Sequence, residues 1–289
     1  MSKDNLPLGI GLMVFTTLVF AVQDAISKHL ASAYNPIQTV MIRYWFFAAF
    51  VIFLAMRHKG GLRMAARSGM PKVQVLRSLV LVLEICVMVT AFTVLGLIES
   101  HAVFASYPLI IAALSGPILG ERVGWRRWAA IGIGFIGMII ILDPSAGVFS
   151  LGALIPLCSA ILFALYGLLT RYVSRVDDAQ TSLFYTGTVG AVAVTVVGIW
   201  LWEPMIGSDR WIMAILCVTG VMGHFTLIKC YDVAEASAVQ PFAYLQLVFV
   251  FIFGLAMGEV LRQEALIGSL IIIAAGIFTL VRSKKAARL

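Results

Sequence analysis

The stretch Ser115–Val123, SGPILGERV, returns in altered form at Phe253–Leu261 as FGLAMGEVL. In each copy an apolar, helix-forming run carries glycines four apart and ends on a Gly-Glu pair: Gly116 and Gly120 before Glu121, Gly254 and Gly258 before Glu259. Glycines at that spacing share one helix face. They let a neighbouring helix approach closely, which is how helices associate where lipid removes the hydrophobic driving force. The glutamate then marks where the chain leaves the apolar phase. Glu259 follows Glu121 by 138 residues, close to half of the 289-residue chain. One such segment is an ordinary packing helix, but two at half-chain spacing indicate a duplicated unit.

The rest of the chain supplies the solvent for that unit. Of its residues 61% are hydrophobic and 12% charged, with a mean hydropathy of +1.01. A soluble domain of this length has no use for so much apolar surface, whereas roughly 20 apolar residues span one bilayer core. Blocks of hydropathy separated by turns or charges read as ten helices, near 7–31, 36–56, 72–95, 99–119, 125–143, 149–172, 179–202, 211–232, 236–257 and 264–282. The links between them are short, so residues 1–289 read as a single polytopic membrane domain. The first block lacks a small-residue cleavage site and reads as a retained span rather than a signal peptide.

A net charge of +7 and a pI near 9.4 could suggest nucleic acid, but the basic residues are distributed as a topology signal. With the N-terminus in the cytosol, sixteen of the 21 lysines and arginines fall in cytosolic segments, from Lys3 through a basic 57–77 loop to Arg288. Lys28, Arg210 and Arg262 fall on the opposite side, and Arg43 and Lys229 within spans. That bias places both termini inside and requires an even number of spans. The four cysteines, Cys86, Cys158, Cys217 and Cys230, lie within apolar runs without metal-ligand spacing, so they read as packing residues.

Further correspondences extend the duplication. Leu8-Gly9, Phe20-Ala21 and Ser27-Lys28 match Leu151-Gly152, Phe163-Ala164 and Thr170-Arg171 at a common offset of 143, and Gln38-Thr39 matches Gln180-Thr181. Helices 1–5 (residues 7–143) therefore repeat as helices 6–10 (149–282). Five is odd, so the second copy runs through the membrane inverted. Inverted repeats of this kind characterise secondary transporters, whose substrate sits near the midplane between the copies.

The second half carries Ala238-Val239-Gln240-Pro241, Gly258-Glu259, Gly268 and Gly276; the first carries Ala102, Tyr107-Pro108, Gly120-Glu121, Gly132 and Gly137. On these residues the chain resembles the EamA-type drug/metabolite transporter superfamily. By overall similarity it resembles bacterial aromatic amino acid exporters of the YddG type. The resemblance implies an all-α integral membrane fold of ten transmembrane helices as two inverted five-helix repeats. It also implies a bacterial inner (plasma) membrane location with cytoplasmic termini. One departure is the proline ahead of each Gly-Glu, 13 residues before it in the first half and 18 in the second.

Other motifs carry no chemistry here. Gly132-x-Gly134-x-x-Gly137 fits a dinucleotide fingerprint but sits inside an apolar run with no preceding strand, so it reads as helix packing. The sequence has no phosphate loop, no H-E-x-x-H and no G-x-S-x-G, so neither an ATP motor nor a cofactor nor a metal is expected.

Ionisable residues placed within spans say more, because charge at bilayer depth is costly and faces a cavity or a partner. Asp24 precedes Lys28 by one turn, and Arg43 lies at similar depth. An Asp24–Arg43 or Asp24–Lys28 structural pair competes with a coupling or gating role for these residues. Glu84 and His224 fall near the middle of the repeat-equivalent helices 3 and 8; they read either as titrating groups in a shared central space or as a satisfied buried pair. Lys229 sits near the cytosolic end of helix 8, where snorkelling or pairing with Asp232 or Glu235 competes with ligand contact. Of the four histidines only His224 reads as deep. Trp125, Trp128, Trp200, Trp202 and Trp211 read as an interfacial belt. Trp45, Phe104, Tyr107, Tyr166, Tyr185 and Tyr244 are placed deeper. A tyrosine hydroxyl in hydrocarbon needs a partner, so several of these rings should line a polar cavity, with helix packing the competing role.

The expected function is alternating-access export of small amphipathic or aromatic solutes by a monomer in the lipid bilayer, with amino acids implied by the resemblance. The expected substrate site comprises Glu84, Phe104, Tyr107, Tyr166, His224 and Tyr244. The rivals are an importer or channel-like facilitator for another metabolite, and a membrane-embedded enzyme. The topology has a direct check: in a cysteine-free background, Arg63→Cys and Ser283→Cys should resist an impermeant thiol reagent in intact cells. Labelling at either site contradicts cytosolic placement.

Overall fold

The computed structural model describes residues 5–57, 61–120, 124–142 and 151–286. Glu121 and the 143–150 link, where the fifth and sixth blocks were expected to meet, lie outside those residues. The described segments form helices α1 (Leu6–Ala33), α2 (Pro36–Arg57), α3 (Gly61–Ala65), α4 (Pro71–Leu95), α5 (Leu97–Phe104), α6 (Tyr107–Leu119) and α7 (Trp125–Leu142). These are followed by α8 (Leu151–Val173), α9 (Ala179–Gly198), α10 (Asp209–Val233), α11 (Ala236–Ala243), α12 (Leu245–Ala256) and α13 (Gln263–Ala286). No strand occurs among the described residues. Among the described residues, eight helical stretches are long and apolar enough to cross a membrane, two of them running through consecutive short helices, α5–α6 and α11–α12. Helices α7 and α13 contain shorter apolar runs, 128–141 and 263–275.

The two assembled stretches depart from the continuous helices expected at 99–119 and 236–257. Between α5 and α6 the chain turns at Ala105 and Ser106, immediately before Tyr107-Pro108. Proline has no N–H to return to the carbonyl four residues back, and its ring clashes with that turn. Local bonds close the gap, Ser106 N–H to the Val103 carbonyl at 3.1 Å and Leu109 N–H to Ser106 at 3.0 Å. The second break falls at Tyr244, one turn past Pro241, with Leu247 N–H bonded to the Tyr244 carbonyl at 3.1 Å. Both are bends rather than openings, and each lies in mid-stretch.

The main contacts run between the halves of the chain: α1 packs on α10 and α12, α4 and α6 on α8, α2 on α9, and α7 on α13. The outer surface is apolar, with Phe53, Val192, Val196 and Ile252 exposed as a lipid-facing wall requires. The five tryptophans expected in a belt are exposed. Trp45 and Tyr185, expected to lie deeper, are also peripheral: Trp45 stacks on Trp202 at 5.8 Å and donates to Thr195 Oγ1, while the Tyr185 hydroxyl reaches the Ala66 carbonyl.

The glycine expectation divides. Gly254 is buried, and a Cβ there would lie 2.5 Å from Ile98 Cγ1, so α12 meets α5 at close range. Gly120 and Gly258 are instead helix ends with φ of 72° and 83°, a Cβ on either meeting nothing within 4 Å. Glycine is required there by backbone conformation rather than by packing. The closest described helix approach of this kind lies at Gly137 and Gly268, where α7 and α13 touch backbone to backbone. A Cβ on Gly137 would stand 2.7 Å from the Gly268 carbonyl oxygen. Gly137→Ala should therefore cost about 1–3 kcal/mol through overpacking, seen as a lower unfolding midpoint in detergent. An unchanged midpoint would mean the two helices stand further apart.

Candidate functional site

Charge that cannot reach water has gathered at two levels inside the bundle. The first lies toward the end of the molecule that carries residues 61–70 and 174–178. Arg77, expected as a loop charge, is fully buried in α4. Its guanidinium donates to Gln74 Oε1 at 3.1 Å, Thr170 Oγ1 at 3.2 Å, the Ser182 carbonyl at 2.5 Å and Thr186 Oγ1 at 2.8 Å. Gln74 passes the interaction on, donating to Asp177 Oδ2 at 2.9 Å, and Asp177 also takes the Ser68 hydroxyl and the Gly69 N–H. This network ties α4, α8 and α9 together.

The second level is different. A narrow cavity of about 40 Å³ lies between α1, α2, α4, α5, α8, α10 and α12. Asp24, Gln23, Arg43, Glu84, His101, His224 and Gln246 line it, with the rings of Phe20, Phe92, Phe104 and Phe163. Both halves contribute. His101 and Phe104 line it from the last turn of α5, just before the break at Ala105, and Gln246 lies two residues beyond the break at Tyr244.

The acidic side is partly satisfied. Glu84 accepts from Ser159 Oγ at 2.7 Å. Asp24 Oδ2 accepts from Gln246 Nε2 at 3.1 Å and lies 3.1 Å from His101 Nε2. The basic side is not satisfied: Arg43 Nη2, His224 Nδ1 and His224 Nε2 have no hydrogen-bond partner among the described residues, and neither has His101 Nε2, whose approach to Asp24 is an ion-pair distance without hydrogen-bond geometry; Gln23 Oε1 and Gln246 Oε1 are unpartnered as well. Buried polar atoms left in that state are costly and call for a ligand or ordered water.

The open alternatives resolve in this geometry. Asp24 takes neither Arg43 nor Lys28 as its partner; it meets His101, and Lys28 goes to Glu259. Glu84 and His224 share the cavity but do not pair, since Glu84 is held by Ser159 and His224 lies between Phe20 at 5.2 Å and Phe47 at 6.2 Å. Lys229 pairs with Asp232 at 3.5 Å, is 39% exposed, and lies outside the cavity. Tyr107 and Tyr244 face a smaller adjoining recess that shares His101, Phe104 and Gln246 with the main cavity. Tyr166 lies under the wall, its ring 5.4 Å from the Arg77 guanidinium and 6.2 Å from His224.

His101 was not anticipated. It is buried, stacked on Phe92 at 5.4 Å and set edge-on to Phe104 at 5.6 Å. In an unbroken helix 4 its position near the helix start reads as superficial. Tyr107-Pro108 was the signal that the helix bends just beyond it.

Apolar membrane-length helices around a buried polar cavity define a multi-pass membrane protein. The chain belongs to the EamA-like transporter family, which matches residues 7–143 and again 150–281. It is 27% identical over 283 residues to an S-adenosylmethionine uptake transporter of Rickettsia felis, covering 96% of this chain and 94% of that protein. It is 28% identical over 250 residues to a riboflavin transporter of Vibrio cholerae, covering 86% and 84% respectively. A crystal structure with 18% identity superposes with a TM-score of 0.71 over 95% of this chain and 97% of the other, a likeness of fold. None of these relatives is named as an amino acid exporter.

The Asp24–His101 contact can be measured. In a thermal-stability double-mutant cycle, Asp24→Asn and His101→Gln should be coupled by about 0.5–3 kcal/mol, the range for residues in contact. Additive effects would mean that the two groups do not meet.

Proposed function

We propose that this protein is a secondary transporter of ten spans, built as two inverted repeats of residues 7–143 and 149–282, that works by alternating access at the cavity around Arg43 and His224. The family's double match and the pairing of helices across the halves support the repeat reading. The bias of its basic segments supports termini on the cytosolic face.

The observation that carries the substrate reading is the mixed valence of the cavity. An unpartnered guanidinium nitrogen and imidazole stand beside two carboxylates and four phenylalanine rings. A zwitterionic head group satisfies both signs at once, its carboxylate at Arg43 and its ammonium at Asp24 or Glu84, while a flat ring packs on the phenylalanines. Aromatic amino acids fit that description. So does S-adenosylmethionine, which has an amino-acid head group, a flat base and a further fixed positive charge for the second carboxylate. Riboflavin brings the ring without the head group. We therefore rank amino-acid-headed aromatic solutes first, with Tyr107 and Tyr244 extending the ring-binding surface. Export follows from the sequence resemblance, whereas the Rickettsia relative is named for uptake. A carrier without a motor runs in whichever direction the gradients drive it.

The test is counterflow in proteoliposomes with labelled phenylalanine, tryptophan, S-adenosylmethionine, riboflavin and leucine, with and without a pH gradient. Joint recognition of head group and ring predicts saturable exchange of the first three, in preference to leucine and riboflavin. Arg43→Gln and His224→Gln should each raise the half-saturating concentration about 10- to 100-fold, since a hydrogen bond to a charged group is worth about 1.5–3 kcal/mol. Their unfolding midpoints should stay near that of the parent. Riboflavin exchange alone, unaffected by Arg43→Gln, would replace this reading with one of neutral ring recognition. Product formation by the pure protein would revive the enzyme alternative.

A further inference from the structure

The loop between α12 and α13, residues 257–262, reaches across to the first half of the chain. Gly258, at φ 83°, turns the backbone so that Glu259 N–H returns to the Gly254 carbonyl at 3.0 Å. The Glu259 carboxylate then faces the start of α5. Its Oε1 accepts the Leu97 N–H and its Oε2 the Ile98 N–H, both at 2.8 Å, and Oε1 also pairs with Lys28 Nζ on α1. Gly96, also at φ 83°, leaves room for this contact, because a Cβ there would lie 3.1 Å from Oε1. Arg262 of the same loop pairs with Glu99 at 2.5 Å.

A helix start leaves its first N–H groups unbonded and carries a partial positive charge, so a carboxylate is a natural cap. An ordinary cap comes from the residue just before the helix and holds whatever the rest of the protein does. This one comes from a loop 162 residues away, in the other half of the chain, and is shared with a third element. It exists only while the halves are together at this end. Burial alone would raise the Glu259 pKa; Lys28 and the two N–H groups more than offset that and hold the carboxyl below its usual range, so it is ionised at neutral pH.

What the cap holds is the wall of the cavity. One turn beyond Ile98, α5 presents His101 and then Phe104, and one turn before Lys28, α1 presents Asp24 to His101. The capped helix start and the Asp24–His101 contact are thus successive ties between α1 and α5. The cavity beside them, at about 40 Å³, is far below the ≈ 300–1,000 Å³ of small-molecule pockets, so the walls must part to admit an aromatic solute.

We propose that Glu259 is the latch on this face: its carboxylate locks the half-helix α5 against α1, and its release opens the central cavity to the side that carries residues 257–262. The assignment rests on the transporter reading above. Glu259, Lys28 and Gly96 are positioning residues that act through α5.

The test is side-resolved labelling of a Met88→Cys probe on the cavity wall, in a cysteine-free background, with an impermeant thiol reagent applied to spheroplasts and to inverted vesicles. Glu259→Gln should raise the labelling rate at least tenfold from the face of residues 257–262 and leave it within twofold from the other. Glu259→Asp should restore much of the protection. The exchanged pair Lys28→Glu with Glu259→Lys should not, because lysine cannot accept the Leu97 and Ile98 N–H groups. Gly96→Ala, which crowds the carboxylate, should open the same face and serves if Glu259→Gln fails to fold. Unchanged labelling in the folded variants overturns the proposal, and so does full protection by the exchanged pair, which would reduce Glu259 to a simple ion pair. Absence of counterflow by the parent protein overturns the transporter reading instead, and the labelling ratios remain readable without it.

Discussion

A charge carried below the membrane surface has to be satisfied by the protein itself, and this requirement organises the interior. Arg77 is met completely, by two hydroxyls, a carbonyl and a glutamine that relays it to Asp177. Arg43, at the other level, keeps one nitrogen without a partner beside an unpartnered His224. The same chemistry therefore yields a fixed strut in one place and an unfilled site in the other. The difference is which groups the neighbouring helices present. Around Arg77 they offer small polar side chains and the Ser182 carbonyl. Around the cavity phenylalanine rings take up much of the wall, and the acceptors there are either engaged elsewhere, as Glu84 is by Ser159, or left unpartnered like Gln23 Oε1 and Gln246 Oε1.

The broken helices explain how the cavity comes to be lined from both halves. The hydrogen-bond ladder is interrupted at Ala105 and Ser106; before the interruption α5 carries His101 and Phe104 at the cavity, and beyond it Tyr107 packs on Phe163 at 4.8 Å. The later break sets Tyr244 beside the smaller recess and Gln246 beside Asp24. Residues of four separate helical pieces thereby meet around one carboxylate and one imidazole.

Much of this was legible in the sequence because hydropathy and repetition are properties of the chain alone. The apolar blocks, the deep placement of Glu84, His224, Asp24 and Arg43, and the exposed tryptophans all follow from spacing. The partners did not, because pairing depends on how helices rotate about their axes, which no local pattern encodes. Asp24 had two near candidates in sequence and took a third, His101, that the packing of α5 against α1 brings within reach. Arg77 looked like one more basic loop residue because the preceding run is basic, yet the helix begins at Pro71 and carries it inside. Glu259 was read as the residue that leaves the membrane. That the same carboxylate returns to bond another helix is visible only in three dimensions. The glycines show the same limit: spacing identified small residues but could not separate a close contact at Gly254 from the turns at Gly120 and Gly258.

The backbone contact between Gly137 and Gly268 also bears on how the chain is made. Synthesis runs from the N-terminus and domains generally form in that order, yet α7 finds its surface match in α13, the last described helix. Through the synthesis of most of the second half, the flat glycine face of α7 stays uncovered in the bilayer. Assembly of the first half is in this sense left open until translation is nearly complete, and a ribosome that stops early leaves a half-molecule with one face still seeking a helix.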